Sequence, residues 1–279
     1  RALNQKVLDR TAERMIRRTE AYWRLWACKE PLDFSPLPEP LRDHYVRSEL
    51  ILRTQVDHDG AIIAANDTDI THFAGDTYSY MWPRDGAICC QSLVLAGHSE
   101  LSRRFFRFCQ RVVEPEGYFL HKYNPTGTLA SSWHPWLKEG RPSLPIQQDE
   151  TALVVWALRC HFEVFRDVEF IREVHRDLVS KPAEWIMSFR DHNGLPHPSW
   201  DLWEERYGVH LFTVATCIGA LEAARDFADD FGASEESAKY GAAADHMRAA
   251  MIKHMWCEES GHFARTVTLQ EDGTYTRDM

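Results

Sequence analysis

Apolar residues follow a helical rhythm in several parts of this chain, and that rhythm constrains the fold more than any other feature. Leu101, Phe105, Phe108 and Val112 are spaced by four, three and four residues. This spacing places them on one stripe of a helix and leaves the opposite face to water. Similar stripes occur near residues 41–53, 171–189 and 240–251. We interpret these regions as outer helices.

A second kind of segment lies between the striped ones and is apolar nearly all round. Such segments are rich in Ala, Gly, Cys and Thr, and they occur at residues 86–97, 151–160 and 211–220. A helix with no polar face is typically buried on all sides. The alternation of outer and inner helices predicts an all-α fold of helical hairpins, a toroid of the α/α type. Pro182 is expected to break the striped helix in which it lies.

The two ends of the chain differ from its middle. Residues 2–28 have a helical pattern and precede the proline-rich stretch 30–40. We predict that residues 1–40 are a helical linker from a possible upstream domain and that residues 41–279 are the N-terminal portion of the toroid. About seven toroid helices are countable.

Composition excludes several classes of function. The net charge is −10, and the basic residues form no isolated patch, which argues against nucleic acid as a partner. No apolar run has membrane-spanning length, so we expect no membrane partner. The seven cysteines include no CxxC pair, which favours a reducing, cytoplasmic location. The fourteen histidines lack metal-ligand spacing, so we expect neither metal nor cofactor.

Three loops lead into the inner helices, at residues 54–85, 113–150 and 190–209, and a toroid brings them to one end. Each contains a cluster of aromatic and charged residues: DTYSYMWPRDG, SSWHPW followed by QQDETA, and DLWEER. Indole and phenol rings offer flat apolar faces to sugar rings, while Arg and Asp match hydroxyl groups. The loops therefore predict a carbohydrate pocket. Its candidate aromatic residues include Trp82, Trp133, Trp136 and Trp203.

Acidic residues are crowded in HPSWDLWEERYGVH, residues 197–210, where Glu204 and Glu205 directly follow Trp203 and Asp201 lies just before it. Two interpretations are open. The glutamates could be solvated acids in the first turn of the following helix, which its dipole favours. Alternatively, like charges and burial against Trp203 would raise a carboxyl pKa, as a general acid requires.

Three motifs together resemble those of glycoside hydrolase family 15, the glucoamylases and their bacterial and archaeal relatives. They are WPRDGA at 82–87, QQDETAL at 147–153 and GLPHPSWDLWEER at 194–206. The resemblance covers roughly residues 41–265. It implies exo-acting, inverting hydrolysis of terminal α-linked glucose, with an α-glucan or α-glucoside as substrate. It also implies that a β-sandwich domain can precede the linker.

The resemblance assigns roles position by position. It makes Glu204 the general acid, and Glu205 and Asp201 neighbours that bind sugar and tune it. Arg84 and Asp85 match the pair that holds the hydroxyls of the terminal glucose.

Four further positions are assigned in the same way. Tyr78 and Trp82 match aromatic residues of the first subsite, and Asp149 matches a family acid. Trp133 or Trp136 is assigned to the next subsite.

An inverting mechanism also needs a general base, a carboxylate roughly 6.5–9.5 Å from the acid. Glu205 is a poor candidate because adjacent residues project differently. The resemblance implies an (α/α)6 toroid of twelve helices, so the seven counted here predict a toroid that is incomplete at its C-terminal side. It also places the base in a later loop of the toroid, so we expect the remaining half in the same or another chain and an inactive fragment here. Alternatives are a non-catalytic glucan-binding relative, a toroid-fold disaccharide phosphorylase or a trehalase.

Overall fold

The computed structural model describes residues 11–30, 33–66, 77–132, 135–138 and 140–279. The helices are α1 Ala12–Ala27, α2 Glu39–Gln55, α3 Pro83–Leu95, α4 Ser99–Val112, α5 Gln148–Phe165, α6 Val168–His175, α7 Lys181–Ser188, α8 Leu211–Asp230 and α9 Ser234–Met255. The strands are β1 Leu137–Lys138, β2 Arg141–Pro142, β3 Ser199–Trp200, β4 Tyr207–His210, β5 Trp256–Cys257, β6 His262–Phe263, β7 Thr266–Leu269 and β8 Tyr275–Asp278. Among the helices so described, none is long and apolar enough to cross a membrane.

Local sequence explains where several helices begin. Proline lies in the first turn of α2 and of α3, where its missing N–H has no intrahelical partner to lose. The side chain of Asp167 caps α6 by accepting a hydrogen bond from the Phe170 N–H, at 3.4 Å. Helix α5 ends where Arg166 adopts a left-handed conformation.

The helices form two layers, as the alternating pattern predicts. The inner helices α3, α5 and α8 pack side by side in chain order, and α2, α4, α6 with α7, and α9 lie outside them. The striped residues Phe105 and Phe108 of α4 are fully buried against the inner layer. The fold is part of an (α/α)6 toroid, and the described residues supply seven of its helices when α6 and α7 count as one.

The prediction that Pro182 breaks its helix is wrong. A single π-helical turn, Arg176–Ser180, joins α6 to α7, so the chain stays helical through the proline. In that turn the Lys181 N–H donates to the Arg176 carbonyl, five residues back. The wider turn removes the need for an N–H at Pro182 and relieves its clash with the preceding turn.

The inner helices are not all buried on every side. Helix α5 meets the prediction over most of its length, whereas α3 exposes Ile88 and Leu95 and α8 exposes Phe212. These side chains leave apolar surface on α3 and on α8 that the described residues do not cover. A complete toroid would place further helices beside α3 and α8.

A small antiparallel sheet in the order β3-β4-β7-β8 lies at one end of the helical layers. Val209 pairs with Val267, and His210 pairs with Thr266. The His210 ring also bonds to the Thr266 hydroxyl at 3.0 Å and to the Ser199 carbonyl at 3.0 Å, so it ties three strands together. The sheet therefore fixes the β3–β4 hairpin on the end of the toroid.

Helix α1 meets the toroid through its last turn. The Trp26 ring stacks on His98, with ring centroids 4.0 Å apart and planes 12° apart. His98 precedes α4 and is buried beside Glu49 of α2, with 3.6 Å between Nε2 and Oε2. Burial raises the pKa of Glu49 to about 7 and lowers that of His98 to about 4. Both groups are therefore neutral in the folded protein near pH 6.

Candidate active site

The N-terminal ends of inner helices α3 and α5 are joined by Arg84, which is buried in the first turn of α3. Its guanidinium Nη1 lies 3.0 Å from Asp149 Oδ2, 2.9 Å from Glu150 Oε1 and 2.8 Å from Gln147 Oε1. The Arg84 backbone N–H also donates to Glu150 Oε2 at 2.5 Å. Two of the three predicted loops therefore meet at this cation.

The acids around Arg84 are almost inaccessible to solvent. Burial strongly raises the pKa of Glu150, and the positive charge of Arg84 opposes that rise. Burial alone would lower the pKa of Arg84, but Glu150, Asp149 and Asp85 outweigh it and raise that pKa above its ordinary value. Arg84 is therefore a buried cation held by the buried carboxyl groups of Asp149 and Glu150, and this cluster forms the floor of the site.

Aromatic rings cover this floor on the side of the first loop. Tyr78 is 53% exposed and stacks on Trp82, with ring centroids 6.0 Å apart and planes 28° apart. Tyr80 contacts the Trp82 ring edge to face at 6.0 Å. The Lys122 ammonium lies 4.6 Å from the Tyr80 ring centroid and 5.2 Å from that of Trp82. These rings form the flat surface that the sequence predicts for sugar binding.

His121 joins the three loops. Its Nε2 lies 2.6 Å from Glu204 Oε1 and 3.2 Å from the Trp82 indole nitrogen, which donates to it. Its Nδ1 lies 3.2 Å from Gln147 Oε1 and 3.8 Å from Glu150 Oε1. The imidazole is thus placed between the aromatic rings, the Arg84 cluster and the predicted general acid.

Glu204 lies in the six-residue turn, residues 201–206, that connects β3 to β4. Its φ is +56°, a left-handed conformation that costs a non-glycine residue roughly 1–2 kcal/mol. Only 9% of its side chain is exposed, and the carboxyl group is directed at His121. The turn thus adopts an unfavourable backbone conformation that directs the Glu204 carboxyl group into the site.

Asp201 stabilises that turn. Its Oδ1 accepts the N–H of Glu205 at 2.8 Å and that of Arg206 at 3.2 Å, while Arg265 donates to Oδ2 at 3.2 Å. Gln147 donates to the Asp201 carbonyl at 2.8 Å. The buried carboxylate of Asp201 is therefore engaged by donors of the hairpin and of the segment before β7.

Both sequence-based explanations of the acid crowding need correction. Helix α8 begins only at Leu211, after β4, so Glu204 and Glu205 are not acids of its first turn. The expected burial of Glu204 against Trp203 is also wrong, because Trp203 is 72% exposed. Successive residues of a tight turn point to different sides, and Glu204 is covered by His121 instead.

The other predicted site residues are distributed around this centre. Trp136 is buried, and its ring centroid lies 5.4 Å from that of His121. The Asp85 side chain is 51% exposed at the rim, 3.3 Å from Arg84 Nη2. Glu205 is exposed on the hairpin, and Trp133 lies outside the described residues.

Two residues at the centre were missed by sequence reasoning. His121 and Lys122 lie in the long second loop, whose few histidines and lysines show no spacing that indicates a site. Met81 and Tyr123 exchange two backbone hydrogen bonds, each of 2.9 Å, which set His121 beside Trp82. His121 and Lys122 can be identified as site residues only from these backbone hydrogen bonds between Met81 and Tyr123. No cluster of three or more metal-binding side chains occurs in the ranges that the structure covers.

Open space borders the Glu204 hairpin. One cleft of about 550 Å³ is lined by Trp203, Phe212, Arg265 and other residues of the hairpin, α8 and the β6–β7 region. A second, of about 330 Å³, lies between Trp136 and Trp200. The hairpin is therefore bordered by aromatic side chains in both clefts.

The sequence profile of "Glycosyl hydrolases family 15" matches residues 39–277, which include Arg84, His121, Asp149 and Glu204. The chain belongs to glycosyl hydrolase family 15. It is 25% identical, over 226 residues and 79% of its length, to an uncharacterized glycosyl hydrolase of Methanocaldococcus jannaschii. It is 29% identical, over 199 residues and 65% of its length, to a probable glucoamylase of Schizosaccharomyces pombe.

Solved structures of family 15 type share its fold. A bacterial glucoamylase complexed with acarbose superposes with a TM-score of 0.57 at 19% identity, over 84% of this chain and 36% of that one. The glucoamylase of Saccharomycopsis fibuligera gives 0.54 at 19% identity, over 75% and 46%. This family 15 chain spans 32% of the archaeal relative and 40% of the yeast relative.

Proposed function

We propose that this glycosidase chain supplies the acid half of an exo-acting, inverting α-glucosidase site that removes terminal glucose from an α-glucan or α-glucoside. The observation that carries the proposal is Glu204, a buried carboxyl group presented by a strained turn beside Trp82 and His121. Membership of family 15 supports the reaction class, and the glucoamylase relatives support the substrate class.

In the proposed reaction the Glu204 O–H bond breaks as its proton passes to the glycosidic oxygen. The C1–O bond then breaks with its electron pair on the departing oxygen, and water attacks C1 from the opposite face. A carboxylate base removes the proton of that water, so the product is β-glucose. We assign no general base among the described residues and propose that a later hairpin of the toroid supplies it.

Glucose recognition is proposed to centre on Arg84, Asp85 and the Tyr78–Trp82 stack. Arg84 Nη1 is engaged by Asp149, Glu150 and Gln147, which fix the orientation of the guanidinium. Half-exposed Asp85 and Tyr78 are the members of the group that solvent, and hence a sugar, reaches most readily. Product analysis of the full-length gene product by polarimetry should give β-glucose first; α-glucose or internal cleavage products would contradict exo-acting inversion.

The acid assignment is tested by Glu204→Gln in the full-length gene product, with Glu205→Gln as the matched control. Loss of a general acid should lower kcat on maltose by about 10²–10⁴-fold but affect glucosyl fluoride, whose leaving group needs little protonation, much less. Glu205→Gln, on the exposed side of the turn, should not show this difference between substrates. Equal losses on both substrates in Glu204→Gln would refute the assignment.

We also propose that the 279-residue chain alone does not hydrolyse glucosides. The support is the uncovered apolar side chains of α3 (Ile88 and Leu95) and α8 (Phe212), together with the absence of an assigned base among the described residues. Such uncovered apolar side chains should make the isolated chain associate or precipitate. Sedimentation and maltose hydrolysis would check this, and a monodisperse, active monomer would refute it.

A further inference from the structure

The hydrogen bonds around His121 determine where its protons lie. They start at Gln147, whose amide orientation is set from both ends. Arg84 is only a donor and faces Gln147 Oε1 at 2.8 Å, while the Asp201 carbonyl is only an acceptor and faces Gln147 Nε2 at 2.8 Å. The Gln147 oxygen is therefore the atom that meets His121 Nδ1, at 3.2 Å.

An amide oxygen can only accept, so His121 Nδ1 must carry a hydrogen. In a neutral imidazole Nε2 is then an acceptor. The indole N–H of Trp82 donates to this same Nε2 at 3.2 Å, which requires its lone pair. The opposite tautomer would set a lone pair against Gln147 and an N–H against Trp82, so it conflicts with both neighbours.

The charged form of His121 satisfies Gln147 but not Trp82, because two N–H groups would then face each other. The surrounding charges do not reverse this preference. The Glu150 carboxyl lies 3.8 Å from Nδ1 but is paired with Arg84 at 2.9 Å, and Asp149 is likewise paired with Arg84. The Lys122 cation, over the Trp82 ring, disfavours a second positive charge. A buried ion pair would also lose the hydration of both ions.

We infer that His121 is a neutral positioning residue whose single Nε2 lone pair is shared by two donors, the Trp82 indole N–H at 3.2 Å and, more closely, the Glu204 hydroxyl at 2.6 Å, and so keeps the acid proton on Glu204. The 2.6 Å separation of Nε2 and Oε1 suits such a bond. This inference rests on the proposed role of Glu204 as general acid. It accounts for a protonated Glu204 that depends neither on burial against Trp203 nor on repulsion from neighbouring acids.

The direct test measures the imidazole in the full-length gene product and needs no activity. Nitrogen-15 NMR of histidine-labelled protein, with the His121 signals assigned through His121→Gln, should show Nδ1 protonated and Nε2 unprotonated at neutral pH. Difference infrared spectra against Glu204→Gln should show the C=O band of a protonated carboxyl group, separate from those of Glu49 and Glu150. A protonated Nε2, or a carboxylate band for Glu204, would overturn the inference.

Kinetics of the full-length gene product give an independent test. His121→Lys replaces the acceptor by a cation, which should favour the Glu204 carboxylate and move the alkaline limb of kcat/KM about 1–3 pH units lower. On maltose kcat should fall by about 10²-fold or more, with glucosyl fluoride much less affected. In His121→Gln the amide oxygen can accept a hydrogen bond from Glu204. The ratio of kcat on maltose to kcat on glucosyl fluoride should therefore return to within about tenfold of the parent's ratio.

The outcomes separate the two proposals. Equal losses of kcat on the two substrates in Glu204→Gln would refute the assignment of Glu204 as the general acid. They would not affect the NMR result for His121. Suppose that Glu204→Gln lowers kcat much more on maltose than on glucosyl fluoride, but that both His121 variants lower kcat equally on the two substrates. His121 then has only a structural role. Should His121→Lys fail to fold, the NMR and infrared measurements on the parent full-length gene product still decide the inference.

Discussion

Replacing Glu49 by glutamine should add to the stability of this protein a pH dependence that the intact Glu49–His98 pair does not contribute. In the folded protein burial raises the pKa of Glu49 from 4.5 to about 7. Burial, assisted by Lys29 and Arg53, lowers that of His98 from 6.5 to about 4. Between pH 4.5 and 6.5 the folded pair is a carboxylic acid beside a neutral imidazole, and the unfolded pair is a carboxylate and an imidazolium. Both states bind one proton, so the two contributions to the pH slope cancel.

Each single substitution removes one contribution and leaves the other. In Glu49→Gln the depressed pKa of His98 remains, so its stabilisation is present above pH 6.5 and is lost as pH falls towards 4. In His98→Gln the raised pKa of Glu49 remains, so its stabilisation is present below pH 4.5 and is lost as pH rises towards 7. At 1.36 kcal/mol per pKa unit, each contribution amounts to about 3 kcal/mol over its range.

Guanidinium unfolding of the full-length gene product at a series of pH values measures these slopes, each relative to the parent. The free energy of unfolding should rise with pH in Glu49→Gln and fall with pH in His98→Gln. Glu13→Gln, at an exposed position of α1, is the control and should follow the parent. Slopes of the same sign in both site variants, or curves parallel to the parent, would refute the assignment of neutral partners.

Two further predictions concern the turn and the glycines. Asp201→Ala removes an acceptor of two backbone N–H groups and the partner of Arg265, so it should cost about 3 kcal/mol in denaturant unfolding and lower kcat by displacing the acid. Unchanged values of both quantities would contradict the role of Asp201 in holding the turn. Gly60→Ala should cost more than about 3 kcal/mol, because φ is +97° and a Cβ would lie 2.1 Å from the Arg104 carbonyl oxygen. Gly273→Ala, at φ +81° in open space, should cost only about 1–2 kcal/mol, and equal losses in Tm would refute this packing argument.

Hydrophobic periodicity was sufficient to predict the layers of helices, because helix burial is a property of local sequence. The stripe in α4 and the all-apolar α5 lie where the pattern placed them. The Arg84 cluster was also predictable in outline, since inner helices of a toroid begin at one end. The four-stranded sheet was not, because strands of two to four residues are too short to show a period.

The detail of the site depended on contacts between distant parts of the chain. His121 contacts Glu204 although α5, α6 and α7 separate the two residues in sequence. The residues next to either one in the sequence give no sign of this contact. The error over Trp203 arose because adjacency in sequence was taken for contact in space. A left-handed φ at Glu204 turns the two side chains to different environments, one buried and one exposed.

The pairing of β4 with β7 also has a consequence for the order of folding. Val209 and Val267 are 58 positions apart, and α8 and α9 lie between them. Local helices gain contacts as they form, whereas this pairing must first meet the entropy of closing a long loop. We therefore expect the pairing that fixes the Glu204 hairpin to β7 to form after the helices. In pulsed hydrogen exchange during refolding, the amides of β4 should become protected later than those of α5.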